Sequence, residues 1–167
     1  MSDFNELARR ARIARLIDEA IKAQRSQSEH DRLMAVLRDY ADRLQCTGKF
    51  DLAHATGHRF DPEPNPDVEG IDKNGCVFVG DAKDGENEAA TRDESRSRIF
   101  GYLMAFATLF HTGRAEHGYF AIATNTLQTA RGWAEALNLA APLCRVIHIE
   151  TAAFTIHQHD PKTWIVW

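Results

Sequence analysis

The residue types that can do chemistry gather in one short stretch. Asp67 follows Pro66, and Asp81-Ala82-Lys83 follows fourteen residues later. Between them, Asp67–Asp72 and Cys76–Ala82 read as two β-type runs joined by Lys73-Asn74-Gly75. Asn-Gly is the strongest short hairpin signal, because both residues tolerate positive φ. A hairpin puts Asp67 at the start of one strand and Asp81 and Lys83 at the end of its antiparallel partner, which is the same end. Asp81 and Lys83 are two apart and project from one face. Two carboxylates and an ammonium that converge suit a hard divalent cation held by oxygen ligands together with waters or phosphates. Such a cation polarises a scissile phosphate and lowers the pKa of a bound water. The lysine can orient that water or help deprotonate it, and can balance transition-state charge.

An acid two residues before a lysine carries little information alone. With this composition chance gives roughly 0.7 occurrences, and the chain has two. The second, Asp160-Pro161-Lys162, reads as a turn with no partner acid on a paired strand. The first has the upstream Pro-Asp, the Asn-Gly hairpin, the apolar run Val77-Phe78-Val79 leading in and a helix following.

The elements that must position these residues are legible from periodicity. Residues 4–24 read as a helix with an apolar stripe through Leu7, Ala11, Ala14, Leu16, Ile17, Ala20 and Ile21, and with Arg9, Arg10, Arg12 and Arg15 on the remaining surface. The polar stretch Gln24–Gln27 breaks the pattern. Ser28 then caps a second helix to about Leu44, with Leu33, Val36, Leu37 and Tyr40 inward, ended by Thr47-Gly48. Lys49–Thr56 reads as a short strand. Three prolines within Asp61–Pro66 force an extended approach to the hairpin. Lys83–Ala90 is a polar loop. Thr91 and Glu94 match a capping box for a helix that is apolar almost all round from Ile99 to Phe110 and stops at Gly113. Gly118–Thr124 reads as a buried strand, 127–139 as a helix capped by Thr126, and 143–149 as a strand. The segments 154–159 and 164–167 form a terminal hairpin around Asp160-Pro161. The resulting class is α/β with a mixed β-sheet flanked by helices, an N-terminal helical extension and a C-terminal β-hairpin.

The 167 residues predict one domain. At 44% hydrophobic and 26% charged, they can bury an ordinary core. The net charge of −4 argues against a protein that coats nucleic acid through bulk positive charge. The excess acid is local: residues 51–100 carry 12 acidic and 6 basic side chains, whereas 1–50 and 101–167 are net +2 and neutral. No apolar leader or membrane-length run is present, and three widely spaced cysteines suggest no disulfide framework. The expected setting is cytoplasmic, without a membrane.

Pro66-Asp67 and Asp81-Ala82-Lys83 resemble the motif of the PD-(D/E)XK, or restriction-endonuclease-like, nuclease superfamily. The order of elements over residues 28–150 looks like that superfamily's core, and 120–137 look like the strand, turn and helix of its Mrr-like members. On this resemblance the chain divides into an N-terminal helix (1–27), a nuclease-like core (28–150) and the terminal hairpin (151–167). The resemblance implies Mg²⁺-dependent hydrolysis of phosphodiester bonds in DNA, with Mn²⁺ able to substitute. It implies Asp67, Asp81 and the Ala82 backbone carbonyl as metal ligands, and Lys83 at the attacking water. Many members add a carboxylate from the first core helix, for which Glu29 is the candidate and Asp31 the second.

Nucleic-acid contacts are expected from Arg92 and Arg96, four apart on one helix face, and from His58-Arg59 just upstream of the hairpin. The acids of Asp84–Glu88 can serve as outer ligands, and they repel a phosphate backbone unless a cation or arginines offset them. A duplex cutter of this size needs two active sites, hence a homodimer. The reading from another class is a non-catalytic nucleic-acid-binding or assembly module on the same fold, with the acidic cluster a solvated surface.

Overall fold

The computed structural model describes residues 2–144 and 153–167, with side chains except those of 2–5 and 86. Ser2–Arg43 forms one continuous helix, α1, of 42 residues rather than two helices. Gln24–Gln27 interrupts the apolar stripe but contains neither Gly nor Pro, and Gln and Arg are good helix formers, so nothing there breaks the backbone. The helix ends before Thr47-Gly48. Gln45 takes φ +60, Cys46 N–H donates to Ala41 O (2.9 Å) and Gln45 N–H to Asp42 O (3.0 Å). That is a Schellman closure, with Cys46 and Ala41 buried together behind it.

Lys49–Thr56 contains a short helix, α2 (Leu52–Ala55), instead of a strand. Asp51 caps it by accepting from His54 N–H at 3.0 Å, a local bond that outcompetes strand pairing. The expected hairpin forms from β1 (Val68–Ile71) and β2 (Val77–Lys83). Only Gly75 of the Asn-Gly pair has positive φ, +85. The loop is held by Asp72, whose Oδ1 accepts from Asn74 and Cys76 N–H at 2.8 Å each. This is the longer hairpin turn in which a single left-handed glycine closes the loop.

Past a single 3₁₀ turn at Gly85–Glu88 comes α3 (Asp93–His111). The capping box does not form: the chain turns helical at Asp93, one residue later than a Thr91 cap requires, so the N-cap is Arg92, whose side chain makes no capping bond. Next come β3 (Gly118–Thr124) and α4 (Leu127–Leu143), whose cap is Thr126 as expected, accepting from Thr129 N–H at 3.1 Å. The helix runs four residues beyond the expected end and includes Pro142. Of the expected strand 143–149, Leu143 is helical and Cys144 is the C-cap, and 145–149 lie outside the described residues. β4 (Ile156–Asp160) and β5 (Thr163–Val166) form the terminal hairpin.

The five strands make one mixed sheet in the order β1-β2-β3-β5-β4, parallel only between β2 and β3. Helices flank it. On one face Val77, Val79, Phe120 and Ile122 bury against Ile99, Leu103 and Phe106 of α3 and Trp133 and Leu137 of α4. On the other face Leu33 and Leu37 of α1 lie over Phe78, Ala82, Ala121, Ala123 and Ile165. The period-2 alternation along β2 therefore sends Val77, Val79, Asp81 and Lys83 toward α3, and Phe78 and Ala82 toward α1. No described helix is long and apolar enough to cross a membrane.

Candidate active site

Asp81 and Lys83 end the face of β2 that begins with Val77 and Val79, so the fold carries them into the interior beside α3. Both are nearly inaccessible, at 3% and 2% exposure. Lys83 Nζ is paired with Asp81 Oδ2. Asp67 precedes β1 and reaches across the hairpin: its Oδ2 accepts from Ala82 N–H at 2.8 Å, and its own N–H donates to Asp81 Oδ1 at 3.2 Å. The three residues singled out by spacing thus converge. Reciprocal bonds between the two hairpin strands hold the carboxylates together.

A carboxylate this close opposes ionisation of the buried Asp81. Burial pushes the Asp81 carboxyl from its ordinary 3.8 up to about 7, against the pull of the Lys83 ammonium, and the Asp67 carboxylate adds to the rise. Asp67 Oδ1 faces Nε2 of His30 at 3.3 Å. The pair opens onto a cavity of about 580 Å³. Its walls are the proline-rich approach from Phe60 to Asn65 on one side and Arg98, Gly101 and Tyr102 of α3 on the other. Tyr102 Oη donates to Asn65 O at 3.0 Å, which ties the two walls together. Burial, and next the Asp81 charge, raise the Tyr102 phenol, so it stays a hydrogen-bond donor. The cavity lies at the C-terminal ends of the parallel strands β2 and β3, where open α/β sheets place their ligands.

The remaining expected residues lie elsewhere. Glu29 is on α1 but turns away from the cavity. It accepts from Arg32 Nη2 at 3.1 Å and Asn125 Nδ2 at 3.3 Å, and the Arg32 bond lowers its pKa. Asp31 is exposed and accepts from Gln27 Nε2 at 3.0 Å. The α1 residue that reaches Asp67 is His30. It is adjacent to Glu29 in sequence and about 100° around the helix, and no acid-based search would have found it. Ala82 contributes its N–H to Asp67, and it does not line the cavity.

Arg92 and Arg96 border grooves against α4 instead. Arg96 pairs with Asp93. Arg98, two positions on and on the opposite side of α3, is the arginine at the cavity, and it bonds Glu94 Oε1 at 3.0 Å. His58 and Arg59 line the adjoining cavity, which shares the Phe60–Pro64 wall. In the acidic loop, Asp84 is held by Asn125 Nδ2 (2.7 Å) and Ser26 Oγ (3.1 Å), while Glu88 Oε2 accepts from Asp84 N–H at 2.7 Å and Glu88 borders the cavity. The signal that could have found Tyr102 is its position one turn after Arg98, as the one hydroxyl within the apolar run 99–107.

Among the described residues no group of three or more His, Cys, Asp or Glu side chains is arranged to hold a metal ion. Two adjacent carboxylates, with Asp67 Oδ1 toward the cavity, nevertheless fit a cation that keeps most of its waters, as Mg²⁺ does when one or two carboxylates anchor it. No protein-family model, no curated protein and no solved structure matches the chain.

Proposed function

We propose that the protein is a Mg²⁺-dependent nuclease that hydrolyses phosphodiester bonds in DNA, on a restriction-endonuclease-like core and in the cytoplasm. One observation carries the reading: a buried lysine and two interlocked carboxylates share one end of a hairpin, at the mouth of a cavity bounded by an arginine-bearing helix. Asp67 and Asp81 would hold the cation, which when bound supplies Lewis-acid polarisation of the phosphate and a more acidic water. Asp67 is kept in place by the Ala82 amide on Oδ2, which leaves Oδ1, beside His30, as the oxygen a cation would take. Lys83, buried and unable to swing into solvent, orients the attacking water and offsets negative charge that develops on the phosphorane. His30 limits the rotation of the Asp67 carboxylate. Arg98 and the adjoining His58-Arg59 give the backbone phosphates their cationic contacts.

The test is conversion of supercoiled plasmid to nicked or linear forms with Mg²⁺, Mn²⁺ or EDTA. Cleavage with either metal, lost in EDTA and reduced about 10²–10³-fold by Lys83→Ala, is the expected result. No cleavage with either metal, or equal cleavage by Lys83→Ala, refutes the reading.

A second reading rests on the lack of a three-ligand cluster among the described residues: a non-catalytic nucleic-acid-binding or assembly module. It expects DNA affinity that Asp67→Asn and Lys83→Ala leave unchanged.

A further inference from the structure

Residues 6–28 of α1 are exposed all round, so the helix projects from the sheet for more than five turns before Leu33 is buried. The first contact with the rest of the fold is the Ser26 bond to Asp84. The projecting segment is not polar throughout. Leu7, Ile17 and Ile21 are 67%, 55% and 43% exposed, and with Ala11 and Ala14 they form one stripe. Helices draw most of their stability from packing an apolar face, and this one is left in water. The stripe therefore calls for a cover.

The pattern of the segment identifies that cover. The stripe Leu7, Ala11, Ala14, Ile17, Ile21 has spacings 4, 3, 3 and 4, which read the same in both directions about Ala14. Six of its eight charges reverse sign under the same operation, while Arg12 and Arg15 map onto Leu16 and Ile13. Glu6 maps onto Lys22, Arg9 onto Glu19 and Arg10 onto Asp18. We propose that α1 residues 6–22 pair antiparallel with the same segment of a second copy of this chain, about a two-fold axis at Ala14. In that arrangement Leu7 lies level with Ile21 of the other copy and Ala11 with Ile17. The small Ala14 side chains at the axis let the backbones approach. Each acidic block faces a basic one. A parallel pairing would instead set Arg9 and Arg10 against themselves. The overlap stops short of Ser26, so the two sheets lie beyond its ends. Ile13 flanks the stripe, and Leu16, about 100° from Ile17, stays outside it. The intrahelical pairs Arg10–Glu6 and Lys22–Asp18 are exposed and leave carboxylate lone pairs for the other copy.

This inference is independent of the proposed chemistry, and its test needs no substrate. Sedimentation velocity of the full chain at low salt should give twice 18.8 kDa. Variant A (Asp18→Lys, Glu19→Lys) and variant B (Arg9→Glu, Arg10→Glu) each place like charges across the axis and should sediment as monomers. An equimolar mixture should regain the doubled mass, because positions 9 and 10 of each variant meet opposite charges at 18 and 19 of the other. Leu7→Gln with Ile17→Gln should also be monomeric, with an unchanged melting temperature for the sheet domain. Three results overturn the proposal: a monomeric native chain at about 50 μM, variants that remain dimeric alone, or an A–B mixture that stays monomeric. A monomeric native chain whose DNA affinity falls in variant B would assign the extension to nucleic acid instead.

Discussion

Removing the Lys83 side-chain charge should destabilise the protein in alkaline solution and not in acid. Asp81 is buried at 3% exposure, and its carboxyl sits at about 7 against an ordinary 3.8. A group whose folded value is raised contributes stability that is fully present below 3.8 and lost as pH rises through 7. At about 1.4 kcal/mol for each pH unit between the two values, ionised Asp81 costs the fold about 4 kcal/mol above pH 8, with Lys83 already offsetting part of the burial. Lys83→Met removes that offset. Without it the Asp81 carboxyl stays protonated past pH 8, so between pH 7 and pH 8 the variant goes on losing about 1.4 kcal/mol that the native chain does not. At pH 5 the Asp81 carboxyl is protonated in the folded protein, so Lys83 no longer offsets a buried negative charge there. There Lys83→Met should match the native chain or exceed it. Asp81→Asn with Lys83→Met leaves no buried charge and should recover at least half of the loss at pH 8. Urea unfolding of the four chains at both pH values, in EDTA, gives the cycle. Additive single effects, or a Lys83→Met cost that is the same at pH 5 and pH 8, would refute the account of the pair.

Three further substitutions test the frame that carries the site. A Cβ at Gly70 of β1 would lie 1.9 Å from Cys46 O, whereas one at Gly101 of α3 meets nothing within 4 Å. Gly70→Ala should therefore cost roughly 2–3 kcal/mol by thermal or urea denaturation, and Gly101→Ala should stabilise by about 0.5–1 kcal/mol. Thr126→Ala removes the hydroxyl that accepts from Thr129 N–H, and should cost about 1 kcal/mol in the same assay.

The sequence by itself determined what depends on neighbours along the chain. The alternation in Val77–Lys83 places Asp81 and Lys83 on one face, the turn at Asp72–Gly75 brings Asp67 to their end, and Thr126 starts α4. The local rules failed where two local preferences compete. Gln24–Gln27 ends an apolar stripe without ending a helix, because amphipathicity and backbone propensity are separate properties. Asp51 serves as a cap where Lys49–Thr56 alone reads as a strand.

Only tertiary structure decided which side chains share a cavity. Helix α1 crosses the small residues Ala82, Ala121 and Ala123, and the angle at which it lies presents His30 rather than Glu29 to Asp67. On α3, Arg98 and Tyr102 turn toward the hairpin because Leu103 and Phe106 must face the sheet. That puts Arg96 against α4. A residue's position on a helix is set by 100° steps along the chain, but the neighbour it meets is set by which face the core claims. Spacing could therefore name Asp67, Asp81 and Lys83, which lie on one hairpin. The long-range partners at the cavity, His30 and Tyr102, had to wait for the packing of two helices against the sheet.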